Sequence, residues 1–272
     1  MRLIIFCFLL PLLLGGCILD VVDELVAIHA SASGKGVSSA SFDASAYRNK
    51  FSVQGGADTL IATIWLSLTA RNSDQAKRIA QNVTASWNSG AETGLALTFG
   101  GSDKELISLD NIFIQIPDSA SVRIDGGDTP VSVSGMNGDV TIGASGSDIS
   151  VETKGRISIE TDAGDISGST GLGGEVTTNS GSIDLSVSSK DFESINITQK
   201  SDSSSRDVKL HIASGAKIQF KLSTSNGRIS LKYDNLSYKT DFIHFSDGDD
   251  YNNGSGKIVS IQINDGDITV TN

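Results

Sequence analysis

From Val131 to Ile166 the chain repeats one short phrase, two apolar residues flanking a polar one, each set off by a small polar corner. It is spelled Val131-Ser132-Val133, Val140-Thr141-Ile142, Ile149-Ser150-Val151 and Ile157-Ser158-Ile159, and returns as Ile183-Asp184-Leu185, Ile229-Ser230-Leu231 and Ile268-Thr269-Val270. Alternation with period two is the pattern of a strand that buries one face. In the middle block the units begin at Val140, Ile149, Ile157 and Ile166, 8 or 9 residues apart. A strand this short cannot stand alone, and even a two-stranded hairpin is marginal in water. Stacking such strands in register solves both problems. It builds a continuous apolar column and pairs the backbone polar groups above and below.

The corners fit that solution. Gly138-Asp139, Gly155-Arg156, Gly181-Ser182, Gly227-Arg228 and Gly266-Asp267 each precede a triplet. Glycine tolerates positive φ, and Asp or Ser can bond nearby backbone amides. The chain carries 29 Gly against 3 Pro, as many tight turns with few rigid ones require. A longer repeat encloses the short one. Ile112, Ile114, Ile116, Ala120, Val122 and Ile124 match Val208, Leu210, Ile212, Ala216, Ile218 and Phe220 at a constant offset of 96. Internal repetition of this kind marks stacked coils. An antiparallel sandwich also accommodates regular turn signals, but very short triplets and scarce proline favour the solenoid.

The first residues belong to a different problem. Arg2 precedes an apolar run from Leu3 to Leu14, shorter than the roughly 20 residues a spanning helix needs. Residues 1–16 are therefore expected to be a cleavable export signal. Leu14-Gly15-Gly16-Cys17 is similar to the bacterial lipobox, which makes Cys17 the expected lipidation site and mature N-terminus. Ile18 rather than Asp follows it, which by enterobacterial sorting rules favours the outer membrane if the source is Gram-negative. Cys7 lies in the signal, so no thiol remains for a disulfide, a zinc site or a nucleophile. Loss of Arg2 takes the formal charge from −11 to −12, and a pI near 4.6 argues against nucleic acid as a partner.

Residues 17–47 open with a possible short helix and become Ser/Ala/Gly-rich, the composition of a tether. Thr59 to Leu68 has the β-branched and aromatic content of a strand. Asn72-Ser73-Asp74 then offers an N-cap for a helix of about three turns ending near Trp87 to Gly90. Leu95–Phe99 and Ile112–Ile116 are further expected strands, and no helix is expected beyond Ile112.

This order (amphipathic strand, helix, then Ile112-Phe113-Ile114-Gln115-Ile116-Pro117-Asp118-Ser119-Ala120-Ser121-Val122, then serial Gly-Asp-Val/Ile units) resembles the bacterial DUF4097 family. Members of that family are also labelled putative adhesins, and the head-GIN putative adhesins are related. The resemblance covers about residues 50–272. It implies a right-handed β-solenoid and brings no catalytic residues with it. The second cassette departs at Ala213, which stands where the first has Pro117.

Chemistry is sparse. Ser246 to Gly254 superficially resembles a calcium loop. Counted from Asp247, however, Asn252 and Ile258 occupy the places where an EF-hand has Gly and Glu. The GGxGxDxUx nonapeptide of calcium-stacked rolls is missing too. His29, His211 and His244 lie far apart, and His211 alternates with Leu210 and Ile212, pointing outward. Asp139, Asp148 and Asp165 could line an edge as glycosidase-type carboxylates, yet each sits where a corner alone accounts for it, and no sugar-stacking aromatics accompany them.

The expected fold is all-β, a right-handed β-solenoid (β-helix-like) with one short N-terminal helix or cap. Its expected division is signal peptide 1–16, tether 17–47, strand-helix-strand cap 48–111 and solenoid repeats 112–272. The expected function is a non-catalytic, lipid-anchored cell-envelope protein, an adhesin-like binding or structural scaffold without cofactor or metal. Its expected partners are the membrane, through lipid on Cys17, and a glycan, envelope polymer or protein ligand. The alternatives are a polysaccharide-active enzyme on the same scaffold and an envelope-stress sensor.

Overall fold

The computed structural model describes residues 22–88, 92–100, 106–200, 206–234, 236–241 and 257–272, with the backbone alone at 22 and 236–241. In chain order the first elements are β1 Val22–Ser33, β2 Ser39–Asp43, β3 Tyr47–Gly55, β4 Thr59–Ala70, helix α1 Ser73–Gln81, β5 Val83–Asn88 and β6 Gly94–Phe99. Next come β7 Ile107–Ile116, β8 Ser121–Gly127, β9 Val131–Met136, β10 Val140–Ala144, β11 Ile149–Thr153, β12 Ile157–Thr161 and β13 Ile166–Thr170. The remainder are β14 Gly173–Thr178, β15 Ile183–Val187, β16 Ser194–Gln199, β17 Val208–Ile212, β18 Ile218–Asn226, β19 Arg228–Tyr233, β20 Leu236–Asp241, β21 Lys257–Asp265 and β22 Ile268–Thr271.

The protein is mostly β, with one helix among the described residues, and its two large sheets are chiefly parallel, a β-helix-like arrangement. From β8 to β17 the chain alternates between the sheets, so each coil contributes one strand to each. Val140 pairs with Ile157 and Ile157 with Gly174 in one sheet, while Ile149 pairs with Ile166 and Ile166 with Ile183 in the other. The rhythm of 8 or 9 residues in the sequence is thus half a coil. Each triplet points its two apolar residues inward. Val140, Ile142, Ile149, Val151, Ile157 and Ile159 are each at most 2% exposed.

Buried threonines close the strands. Thr153 Oγ1 donates to the Gly138 carbonyl (2.6 Å) and Thr170 Oγ1 to that of Gly155 (2.8 Å), tying the strand end to the matching corner of the preceding coil. A hydroxyl at such a site costs little because its partner is supplied by the fold. At Gly168 the inward row of Val151 and Leu185 is interrupted. Its φ is +136°, and a Cβ there would lie 1.7 Å from the Val151 carbonyl oxygen, so only glycine fits.

The repeat at offset 96 has a topological meaning. After β7 the next open place in the second sheet is that of β2, yet the chain passes over it and enters as β8, between β2 and β10. After β17 it passes over the place of β21 and enters as β18, at the sheet's end. Both cassettes are the same manoeuvre, a corner stretched across one layer. The first skipped layer holds β2 and β3, made earlier in the chain, and the second holds β21 and β22, made later.

The structure corrects two expectations near the N-terminus. From residue 22 onward the tether expected over 17–47 is largely strand, because β1 pairs antiparallel with β4 at every position from Val22↔Ala70 to Ser33↔Thr59, and β2 pairs parallel with β8. The possible helix in that stretch is β1 itself. The later helix is shorter than expected. Asn72 caps it through Gln75 N–H, and it stops at Asn82, where Val83 begins the hairpin of β5 and β6. In the first sheet β3 pairs with both β7 and β9, and beyond β7 the strands β4 and β1 extend that sheet outward with α1 packed against them.

Candidate functional site

The corner aspartates are placed by backbone chemistry. Asp148 Oδ1 accepts the Asp165 amide (2.9 Å) and Asp165 Oδ1 the Ser182 amide (2.8 Å), each one coil on. Along the same edge Asp207 accepts from Asp267 N–H and Asp267 from Arg228 N–H. Asp139 stands on the other edge, where it accepts the Arg156 amide (2.8 Å). The three candidate carboxylates are therefore not brought together, and each is engaged as a rung between coils. Among the described residues no three His, Cys, Asp or Glu side chains gather in a group that could hold a metal. Cys17, His244 and the acidic loop Asp247 to Gly254 lie outside the described residues.

The other two histidines bond to threonines on neighbouring strands, His29 Nδ1 to Thr63 Oγ1 (3.1 Å) and His211 Nδ1 to Thr271 Oγ1 (3.2 Å). His211 is exposed, as its alternation implied.

A more informative surface lies where β1, β4, β7 and β3 run side by side. On β4, Leu60, Ala62, Ile64, Leu66 and Leu68 point into the core, at most 3% exposed. Ile61, Thr63 and Trp65 occupy the opposite parity and remain partly exposed. On β7, Ile112, Ile114 and Ile116 are buried while Phe113 and Gln115 alternate outward. Ile61, Trp65 and Phe113 belong neither to the hydrophobic core nor to the side chains packed against it. Register fixes their neighbours: Trp65 faces Asn111, and Phe113 faces Thr63 on one side and Ser52 on the other. The two rings are diagonal neighbours on one sheet face, a relationship of about 7–8 Å between backbones.

Polar groups frame the rings. His29 faces Thr63, Ala27 faces Trp65, and Gln115 faces Ile61. A bulge at Trp65/Leu66 turns Asp110 aside, where it accepts from Asn111 Nδ2 (2.9 Å) and from Asn49 Nδ2. An outward aromatic pair inside a frame of fixed amides, hydroxyls and a carboxylate can stack on a flat apolar face and hydrogen-bond around it. Sequence alone places Trp65 and Phe113 in strands without showing that they share an outward face. Their parity, opposite to that of Ile64 and Ile114, was the available signal.

Two concavities lie along the second sheet. One, of about 580 Å³, is lined by Lys190 to Glu193, Gly215 to Lys217 and Lys257. The other, of about 290 Å³, runs across Thr141, Ser158, Glu175 and Asn196, one residue from each of four successive strands. Arg156 lines the second and pairs with Glu193 of the first at 2.6 Å. Among the described residues no helix is long and apolar enough to cross a membrane.

No protein-family model and no curated protein sequence matches the chain, so the DUF4097 resemblance rests on the quoted residues alone. Two solved structures are similar. One is a putative cell adhesion protein from Clostridium sporogenes ATCC 15579, at 10% identity and TM-score 0.37, covering 91% of this chain and 99% of that one. The other is a putative adhesin from Bacteroides fragilis NCTC 9343, at 14% identity and TM-score 0.26, covering 92% and 97%. At such TM-scores neither likeness decides fold or function, and the architecture stands on its own strand pairings.

Proposed function

We propose that this chain is a non-catalytic, adhesin-like binding scaffold of the cell envelope, a right-handed β-solenoid held to the membrane by lipid on Cys17. Its face at Trp65 and Phe113 engages a glycan. The observation that carries this reading is the outward aromatic pair on β4 and β7, set in a rigid four-stranded surface and framed by His29, Thr63, Asn111 and Gln115. Rigid sheets make good platforms, because little ordering entropy is lost when a ligand lies down on them. The corner carboxylates lend no support to the enzyme reading, since Asp139, Asp148 and Asp165 are occupied as rungs.

The test is a glycan array and a cell-adhesion assay on the full chain and on Trp65→Ala/Phe113→Ala. Both substituted side chains are outward, so the fold should survive, and circular dichroism checks this. Loss of glycan capture and adhesion in the variant supports the reading. Capture that is unchanged, or absent in the parent chain, sinks it. Metabolic labelling with a fatty acid, present in the parent and lost in Cys17→Ser, tests the anchor separately.

A further inference from the structure

The larger concavity follows directly from the skipped layer. The corner Ala213 to Lys217 is stretched over β21, and the corner Ser188 to Glu193 stands on its other side. Lys257, the first residue of β21, lies between them. Its ammonium donates to the Phe192 carbonyl (2.8 Å) and sits 5.4 Å from the centre of the Phe192 ring, which is itself buried. Lys257 is thereby held in place, while Lys190 and Lys217 reach the same space from the two flanking corners. Among the described residues the only salt bridge joins Arg156 to Glu193, so neither Lys190 nor Lys217 is paired with a described carboxylate, and Glu193 is shared with Arg156. Three lysines thus meet in one cleft, in a chain whose formal charge is −11; the acids beside them are Asp191, the Arg156-paired Glu193 and Asp234, which accepts the Gly215 amide at 3.2 Å.

The geometry points to this cleft as a binding site for the anionic groups of an acidic polysaccharide. Charge complementarity selects the anion, because positive charges gathered in a concavity focus field against an acidic background. The neighbouring groove selects the polymer. Across the Arg156–Glu193 pair it continues as Thr141, Ser158, Glu175 and Asn196, a row of hydroxyl, carboxylate and amide groups at strand spacing. Such a row matches a chain of sugar hydroxyls. It offers no apolar pocket for peptide side chains, since Val140 and Ile157 in its lining point into the core. The inference shares with the proposed function only the premise that the scaffold binds glycans, and it uses different residues.

The test is co-sedimentation or calorimetry of the full chain with polygalacturonate, with neutral dextran and polyglutamate in parallel, at low and high salt. Polygalacturonate should bind, more weakly in high salt, and Lys190→Ala/Lys217→Ala should weaken it by about tenfold. Both lysines are exposed, so the variant should fold as the parent does. The Trp65→Ala/Phe113→Ala variant should still bind polygalacturonate, which separates failure of this site from failure of the aromatic face. Equal binding by the lysine variant, or equal binding of dextran, overturns the inference. Binding of polyglutamate as tight as that of polygalacturonate overturns it in favour of an acidic peptide. If the parent binds nothing while Asp247→Asn/Asp249→Asn/Asp250→Asn binds, the cleft serves the chain's own acidic segment and the inference fails.

Discussion

The phenol oxygen of Tyr233 accepts the amide of Ala216 at 2.9 Å, joining the end of β19 to the corner that crosses β21. Its single proton lies within reach of the Ala213 and Ala216 carbonyls, at 3.0 and 3.2 Å. The residue 96 positions earlier, Asn137, does the same work at the first crossing. Its amide nitrogens bond the Asp118 backbone and carboxylate in the corner between β7 and β8. Each layer-skipping corner is latched from the strand end that follows it. Tyr233→Phe keeps the ring and its edge-on contact with Phe220 but strands a buried amide. The expected loss is about 1–3 kcal/mol, measured by urea denaturation, and an unchanged midpoint would dismiss the latch.

The same phenol gives the fold an alkaline limit. Burial pushes the Tyr233 pKa up, the Asp234 charge adds to this, and the Ala216 hydrogen bond partly offsets it. Burial, aided by Asp43, raises that of Tyr47 further. In both cases the folded pKa exceeds the unfolded value of about 10. Their contribution is therefore complete below about pH 10 and is lost as pH rises through the folded values. Denaturation midpoints should fall with increasing pH from about pH 10 upward, and the fall should be shallower in Tyr47→Phe.

Gly168 sits where its neighbours in the row carry Val151 and Leu185, at φ +136° and against the Val151 carbonyl. Gly168→Ala should cost at least about 2 kcal/mol, the combined effect of a backbone state that L-residues avoid and a contact with rigid backbone. A thermal melt within a degree of the parent would contradict this.

If the corner aspartates are rungs, their acceptor oxygen matters more than their charge. Asp148→Asn retains an oxygen for the Asp165 amide and should be nearly neutral, whereas Asp148→Ala should cost about 1 kcal/mol. Equal losses in both variants would mean that the negative charge is what counts.

Local pattern carried the repeats well. Ile157-Ser158-Ile159 specifies both its strand and its inward face, because two apolar residues two apart leave one choice of side. Pattern failed at β1, whose partner β4 follows only after β2 and β3 and whose outer face is exposed, so nothing nearby marks it as sheet. The offset of 96 was visible, but its cause was not, since a skipped layer is defined by strands elsewhere in the chain. Trp65 is legible as strand, and its parity opposite to Ile64 and Leu66 turns it outward; what its own neighbours do not reveal is that Phe113 lies beside it, which the pairing of β4 with β7 sets.

The second crossing also orders the events of folding. From β8 to β17 each coil can settle on the one before it as the chain emerges from a ribosome or a pore. β18 and β19 cannot, because the parallel neighbours they rest on, β21 and β22, come later in the chain. The far end of the stack is an arch raised around a missing stone. Until Lys257 to Thr271 slides into place, the crossing corner spans an empty course, and the last strands to arrive lock those already standing.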